Sequence, residues 1–305
     1  MKLNPDIRLF ASPRSPPTWR KFPRAYSYGK LIRDPKYLRA YALYLVKFAQ
    51  AYAAEGITIH QVHVQNEPNS DQKFPSCLWT GELMRNFIRD YLGPAFREHN
   101  LDCEIWAGTI EKPDYVAWAH TILADPEARK FISGVGYQWA GQGAVQRTHA
   151  SWPQPGLMQT ENECSDGKNT WEYAGYVFDL LQHYITNGVN AYVYWNAVLQ
   201  PTGLSTWGWN QNSMFTVDPK ESTLIRNPEY YVMKHFTAFV RPGARRMQLA
   251  GAMAGMAVAF EERDRAVVVL HNPLPEPSAV RVKVRGNSFA LSLPAESMHT
   301  VVFEH

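Results

Sequence analysis

The 305-residue chain is short of cysteine, of long apolar runs and of excess charge, and each shortage excludes something. Three cysteines, Cys77, Cys103 and Cys164, are too few and too scattered for a disulfide framework or a zinc site. No stretch approaches the roughly 18 uncharged apolar residues of a membrane span. The segment from Met1 to Phe10 has no apolar core before a small-residue cleavage site, so it does not read as a signal peptide. The formal net charge is only +3, and Lys and Arg are spread along the chain, which argues against nucleic acid as a partner. No Gly-x-Gly-x-x-Gly and no Gly-Lys-Ser/Thr follows a β-like run, so a nucleotide-binding open sheet is disfavoured. What is plentiful is aromatic: 10 Trp and 16 Tyr, rings that fill cores and also line sugar-binding clefts.

With 45% hydrophobic and 19% charged residues the chain reads as globular, and its length predicts one large domain, or one large and one small. From Ile7 to about Arg241, short β-rich runs alternate with helical periodicity. The β runs are Ile7–Ala11, Ile57–Val64, Glu104–Thr109, Phe131–Tyr137, Gly156–Thr160 and Val189–Trp195. The helical segments are Tyr37–Ala54, Thr80–Glu98, Tyr115–Ala124, Trp171–Thr186 and Glu229–Val240. Strand and helix in alternation imply parallel pairing, hence a (β/α) barrel or an open doubly wound sheet. After Arg241-Pro242-Gly243 the pattern changes to short strand-like runs, among them the strict alternation of Val280-Arg281-Val282-Lys283-Val284. The expectation is a barrel over 1–241 and a small antiparallel β-sandwich domain over 242–305. The latter is too small for much core of its own and is expected to lean on the barrel. Six βα strands are counted where a closed barrel has eight, so either the barrel is incomplete at its N-terminus or the sheet is open.

Two of the β runs end in a carboxylate. Val62-His63-Val64-Gln65-Asn66-Glu67-Pro68 places Glu67 at the strand end that forms the catalytic face of parallel barrels. Leu157-Met158-Gln159-Thr160-Glu161 repeats the arrangement three β runs later. Two carboxylates across one rim are the minimum kit for glycoside hydrolysis, one protonated to give a proton and one ionised to attack. The bland alternative for Glu67 alone is a loop-top helix cap or ion-pair partner, and the second carboxylate shifts the weight away from it. Tyr137, Trp139 and Trp195 end neighbouring runs and could stack on sugar faces, while Asn66 and Asn196 could bond hydroxyls. Tyr192 and Tyr194 share a strand face, so packing is the alternative for them. His60 and His63, three apart on a strand, point to opposite faces and read as packing or a structural hydrogen bond rather than a metal pair. Cys164 reads as a buried thiol. Arg241, Arg245 and Arg246 read as a solvated cluster, for which an anionic lipid surface is the functional alternative.

On these motifs the chain resembles glycoside hydrolase family 30, the family of lysosomal glucosylceramidase and its bacterial relatives. The resemblance runs through Leu9-Phe10-Ala11-Ser12-Pro13-Arg14-Ser15-Pro16-Pro17-Thr18-Trp19, Asn66-Glu67-Pro68, Thr160-Glu161, Tyr194-Trp195-Asn196 and the small C-terminal β domain. It implies a (β/α)8-type TIM barrel lacking its first two βα units, because Met1 falls just before the family's third strand. It implies a retaining mechanism with Glu67 as acid/base and Glu161 as nucleophile, Asn66 on the sugar 2-hydroxyl, and Trp195 as subsite floor. Trp139 matches a position where the family commonly has Tyr, and no metal or organic cofactor is implied. Glu163 is a rival nucleophile, since i and i+2 share a strand side and Cys164 follows it. The family usually has Ser-Pro-Trp where this chain has Ser12-Pro13-Arg14, which places Arg14 at the sugar subsite with consequences for sugar choice or binding.

The implied partner is a carbohydrate or glycolipid carrying a β-linked glucoside, with membrane contact only through the substrate. A β-xylosidase or a β-1,6-glucanase of the same family is the alternative. A different class of reading is a non-catalytic remnant, favoured by Arg14 and the missing βα units and opposed by the intact Glu67 and Glu161. The first strand would expose a pairing edge, from which a poorly stable, self-associating or inactive chain is expected. Localisation and oligomeric state are not legible.

Overall fold

Each β-rich run followed by a helical stretch folds as one layer of a parallel sheet. The computed structural model describes residues 4–304, and the chain divides into two compact units. The first comprises the chain up to Asn162 with Gly188–Val193; the second comprises Glu163–Asn187 and the chain from Tyr194 onward.

In the first unit, β1 (Phe10–Ala11) is followed by a short hairpin, β2 (Lys21–Phe22) and β3 (Lys30–Leu31), and then by α1 (Pro35–Ala54). The α1 helix starts where Asp34 accepts from the Lys36 amide and Pro35 takes the first turn, a cap of about 1 kcal/mol. Its buried stripe of Leu38, Tyr41, Ala42, Leu45, Val46 and Ala49 has helical spacing. β4 (Gln61–His63) leads to α2 (Gly81–Phe87), capped by Thr80 on the Leu83 amide, and α3 (Gly93–Glu98). β5 (Glu104–Ile110), α4 (Thr121–Leu123), α5 (Pro126–Arg129), β6 (Ile132–Gln138), α6 (Gln142–Ser151), β7 (Gly156–Glu161) and β8 (Ala191–Tyr192) complete it. The six strands β1, β4, β5, β6, β7 and β8 pair in that order, every neighbour parallel, as an arc of a TIM barrel.

Three expected strands are shorter than their apolar runs. The run at Ile7–Ala11 pairs only from Phe10, Ile57–Val64 only over Gln61–His63, and Val189–Trp195 only over Ala191–Tyr192. The first and last lie at the sheet edges with one partner each, and the middle one pairs only three residues with β5. The α6 helix and the β2–β3 hairpin were not expected. Glycines let β6 approach its neighbours: a Cβ on Gly134 would stand 2.4 Å from the Trp106 ring, and one on Gly136 would stand 2.6 Å from the Gly108 carbonyl. The space so kept holds His63 between Phe10 and Trp106, with ring centroids at 4.9 and 5.2 Å. Its Nδ1 lies 3.2 Å from the Gly108 carbonyl, and burial pushes the imidazole down to about 3. His60 instead accepts from the Leu9 amide at 3.0 Å, so the two histidines are structural, as their spacing implied.

In the second unit, α7 (Trp171–Thr186), capped by Thr170, precedes a small sheet of β9 (Val198–Leu199), β10 (Phe215–Asp218) and β11 (Thr223–Arg226). After α8 (Pro228–Thr237) come β12 (Arg245–Met247), β13 (Ala257–Glu261), β14 (Arg265–Asn272), β15 (Ser278–Val284), β16 (Asn287–Leu293) and β17 (Ser297–Glu304). The antiparallel sheet β12-β13-β14-β17 faces the β15–β16 hairpin across a core of Ala257, Ala259, Ala266, Val268, Leu270, Val284, Leu293 and Phe303, which makes the expected sandwich. Arg285 and Gly286 both have positive φ in the hairpin turn. The other face of β14 meets helices: His271 rests 5.1 Å from the Phe178 ring of α7, and Phe260 of β13 lies 6.4 Å from Phe236 of α8. The sandwich therefore leans on α7 and α8. Arg241 is paired with Asp264 at 2.8 Å on the surface. No helix among the described residues is long and apolar enough to cross a membrane.

Candidate active site

The ends of β4, β6 and β7 converge on two buried carboxyl groups. Beyond β4, the chain is stitched to both neighbouring strand ends. The Asn66 amide donates to Pro13 O at 3.0 Å, and the Glu67 amide donates to Thr109 O at 3.2 Å. Thr109 Oγ1 donates to Asn66 Oδ1 at 3.1 Å, so the Asn66 side chain is held at the site. Gln65 Nε2 bonds Arg14 O at 2.8 Å, and its Oε1 accepts from Trp79 Nε1. Glu67 itself has a φ of 45° and Trp139 one of 50°, left-handed values that cost a non-glycine residue on the order of 1 kcal/mol or more. Both sit where a side chain is turned toward the same place.

Glu67 is 9% exposed and Glu161 7%. Glu67 Oε1 accepts from Gln138 Nε2 at 3.0 Å, and Gln138 Oε1 accepts in turn from Thr160 Oγ1 at 3.2 Å. Glu161 Oε1 accepts from Trp139 Nε1 at 3.2 Å, and its Oε2 from Arg14 Nη2 at 3.3 Å. Burial, with the Glu161 carboxylate second, pushes the Glu67 carboxyl up to about 7 against the pull of Arg14 and Gln138. Burial also raises Glu161, while Arg14 and Trp139 pull it back. Both carboxyls are thus pushed up by burial, and the repulsion from Glu161 adds to the push on Glu67, which favours its protonated form. Such a pair can deliver a proton and a nucleophile to one bond.

Of the residues singled out from sequence, Glu67, Glu161, Asn66, Arg14 and Trp139 are brought together. Tyr137 is not. It is fully buried, and its hydroxyl lies 2.5 Å from Thr148 Oγ1 of α6. The β6–β7 register shifts between Tyr137 and Gln138, so the bulge breaks the simple alternation and Gln138 pairs with Glu161. Tyr137 is therefore a packing residue, and Gln138 takes the place expected for it. Trp195 and Asn196 lie in the second unit and are half-buried; Asn196 Nδ2 bonds Asn212 O at 3.3 Å. Glu163 also belongs to the second unit, where its carbonyl accepts from the Tyr173 hydroxyl at 2.5 Å. Cys164 is buried, and its carbonyl accepts from the Asn212 amide.

Two functional neighbours escaped sequence reading. Gln138 carried no signal, being one polar residue between two aromatics. Glu111 did carry one, since it too follows a strand end, β5. It accepts from the Asn69 amide at 2.9 Å and Ser70 Oγ at 2.8 Å, tying down the loop beyond Glu67, and it adds to the upward push on Glu67.

Comparison with known proteins places the chain in a family. The family model described as "Glycosyl hydrolase family 30 TIM-barrel domain" matches residues 1–240. The chain is similar to the lysosomal acid glucosylceramidase of Mus musculus, at 30% identity over 92% of this chain and 57% of that protein. It is also similar to an endo-1,6-β-D-glucanase of Neurospora crassa, at 28% identity over 93% of this chain and 62% of that protein. The solved structure of an endo-β1,6-glucanase superposes with a TM-score of 0.89 at 25% identity, over 99% of this chain and 72% of that one. The chain thus spans about three-fifths of the length of the curated relatives it matches.

Proposed function

The chain belongs to glycosyl hydrolase family 30, and from that premise we propose that it is a retaining β-glycosidase acting on β-glucosidic bonds. The observation that carries the reading is the unequal pair: Glu67 pushed up to about 7 by burial and by Glu161, and Glu161 held by Arg14 and Trp139. Glu67 gives its proton to the glycosidic oxygen as the bond to the anomeric carbon breaks, and the Glu161 carboxylate attacks that carbon. The aglycone leaves as the alcohol, and a glycosyl ester remains on Glu161. Water then attacks the same carbon, its proton passes to Glu67, and Glu161 returns as carboxylate. Asn66, fixed by Thr109, serves the sugar 2-hydroxyl, and Trp139 orients Glu161. Glu163 is the weaker nucleophile, because Glu161 shares a compact unit and an electrostatic field with Glu67.

The likeness to two β-1,6-glucanases supports a second substrate reading, a β-1,6-linked glucan in place of a glucosyl lipid or simple glucoside. The test is hydrolysis of 4-nitrophenyl β-glucoside, 4-nitrophenyl β-xyloside, glucosylceramide and a β-1,6-glucan, with the first-formed anomer read by proton NMR. Turnover giving the β-anomer, abolished in Glu67→Gln and Glu161→Gln, supports the reading and ranks the substrates. An α-anomer, or a folded chain that turns over none of them, overturns it.

A further inference from the structure

Arg14 stands at a strand end where the family resemblance leads one to expect an indole against the sugar, but its guanidinium is turned to a carboxylate. We infer that Arg14 is a positioning residue for Glu161, an ion-paired clamp that keeps this carboxylate charged and aimed, and not a sugar-stacking surface. The inference rests on the reading of Glu161 as nucleophile.

The geometry for a clamp is complete. Arg14 Nη2 is 3.3 Å from Glu161 Oε2, while Trp139 Nε1 is 3.2 Å from Oε1, so each oxygen of Glu161 has its own donor. The anchoring of Arg14 is independent of its side chain. Its carbonyl accepts from Gln65 Nε2 at 2.8 Å, the preceding Pro13 carbonyl accepts from the Asn66 amide at 3.0 Å, and Pro13, Pro16 and Pro17 restrict the segment's φ angles. The segment after β1 that carries the guanidinium is thereby tied to the segment after β4 that carries Glu67, and the guanidinium is aimed at Glu161. Glu67 is acted on by Glu161 and Glu111, which raise it, and by Arg14, which lowers it, while the charge acting on Glu161 is Arg14. Burial alone would leave Glu161 competing with Glu67 for a proton, and a nucleophile that takes the proton cannot attack. Arg14 acts on both members, lowering each.

The two roles predict different things. A sugar-stacking side chain sets KM at every pH and leaves the titration of Glu161 alone. A clamp sets the pH at which Glu161 becomes available and leaves KM nearly alone once it is ionised. Removing the guanidinium therefore moves both limbs of the pH profile of kcat/KM in the alkaline direction, because both carboxyls lose the same cation.

The experiment reads Glu161 directly, so that it does not depend on turnover. The full chain is prepared with glutamate labelled at the side-chain carboxyl carbon with carbon-13 in a Glu67→Gln background, where Glu161 titrates without its partner, and its resonance is assigned by loss in Glu161→Gln. Adding Arg14→Gln is expected to raise the midpoint by about one pH unit, discounted for a side chain open to solvent, and Arg14→Lys to restore most of it. Raising the salt to about 1 M in the chain retaining Arg14 is expected to move the midpoint the same way, so the answer survives an unfolded variant. Against 4-nitrophenyl β-glucoside, Arg14→Gln with Glu67 intact is expected to shift both limbs with little change in KM. A midpoint indifferent to Arg14→Gln and to salt overturns the inference, as does a raised KM with unmoved limbs. A midpoint that moves in a chain without glycosidase turnover leaves the clamp standing and brings down the proposed function instead.

Discussion

The proton on Glu67 has a cost that can be measured without any substrate. In the folded chain burial holds this carboxyl at about 7, whereas the unperturbed group titrates near 4.5. A raised carboxyl contributes fully to stability below the unfolded value, and the contribution is lost as pH climbs through the folded one. At about 1.4 kcal/mol per pH unit, the loss between those two values amounts to about 3 kcal/mol. Glu67 is only 9% exposed, so solvent screening does not much reduce the figure. Glu67→Gln keeps the shape and the acceptor for Gln138 while removing the charge. The variant is therefore expected to be more stable than the parent by about 3 kcal/mol more near pH 8 than near pH 4.5. Denaturant unfolding of both chains across that range reads the difference. Comparing them cancels the opposing contribution of His63, whose depressed imidazole, at about 3, costs stability as pH falls below its ordinary 6.5. A stability difference independent of pH, or one that shrinks toward alkaline pH, would refute the reasoning, because Glu67 would then be an ordinary carboxylate.

Two further perturbations follow from the same environment. Gln138→Leu removes the amide that favours the ionised form of Glu67, so the basic limb of kcat/KM is expected to move up by about one pH unit and kcat to fall; an unmoved limb would mean that Gln138 does not hold Glu67. Arg20 is fully buried between the Trp19 and Tyr41 rings, at 4.4 and 5.1 Å, and none of its guanidinium nitrogens has a partner among the described residues. Arg20→Met, which removes a buried cation without hydrogen bonds but also its two ring contacts, is expected to leave the chain as stable or up to about 2 kcal/mol more stable in denaturant unfolding, and a destabilisation of more than about 2 kcal/mol would show that the ring contacts outweigh the missing hydrogen bonds.

The layout of the barrel was legible because β-branched runs and helical stripes alternate cleanly, as in the α1 stripe from Leu38 to Ala49. The α6 helix was not, because Gln142–Ser151 buries only Ala144, Val145 and Thr148 and its start has no side-chain cap. The β2–β3 hairpin was hidden by the prolines and aromatics around it, which carry no period-2 pattern. At the site, strand-end carboxylates announced Glu67 and Glu161 by position alone. The irregularity opposite Tyr137 and Gln138, where Thr160 of β7 is the extra residue and Glu161 comes to pair with Gln138, has no signature in the sequence. The Arg14–Glu161 pair joins residues 147 positions apart, and no local pattern encodes such a contact.

The central claim is that Glu161 takes the glycosyl group. It is tested most directly by inactivating the chain with an activated 2-deoxy-2-fluoro glycoside of the sugar it hydrolyses, digesting it, and fragmenting the labelled peptide by mass spectrometry. The account predicts one sugar esterified to Glu161, with inactivation fastest where Glu67 is still protonated. A sugar on Glu163, or turnover that proceeds with no trapped ester at all, would contradict it.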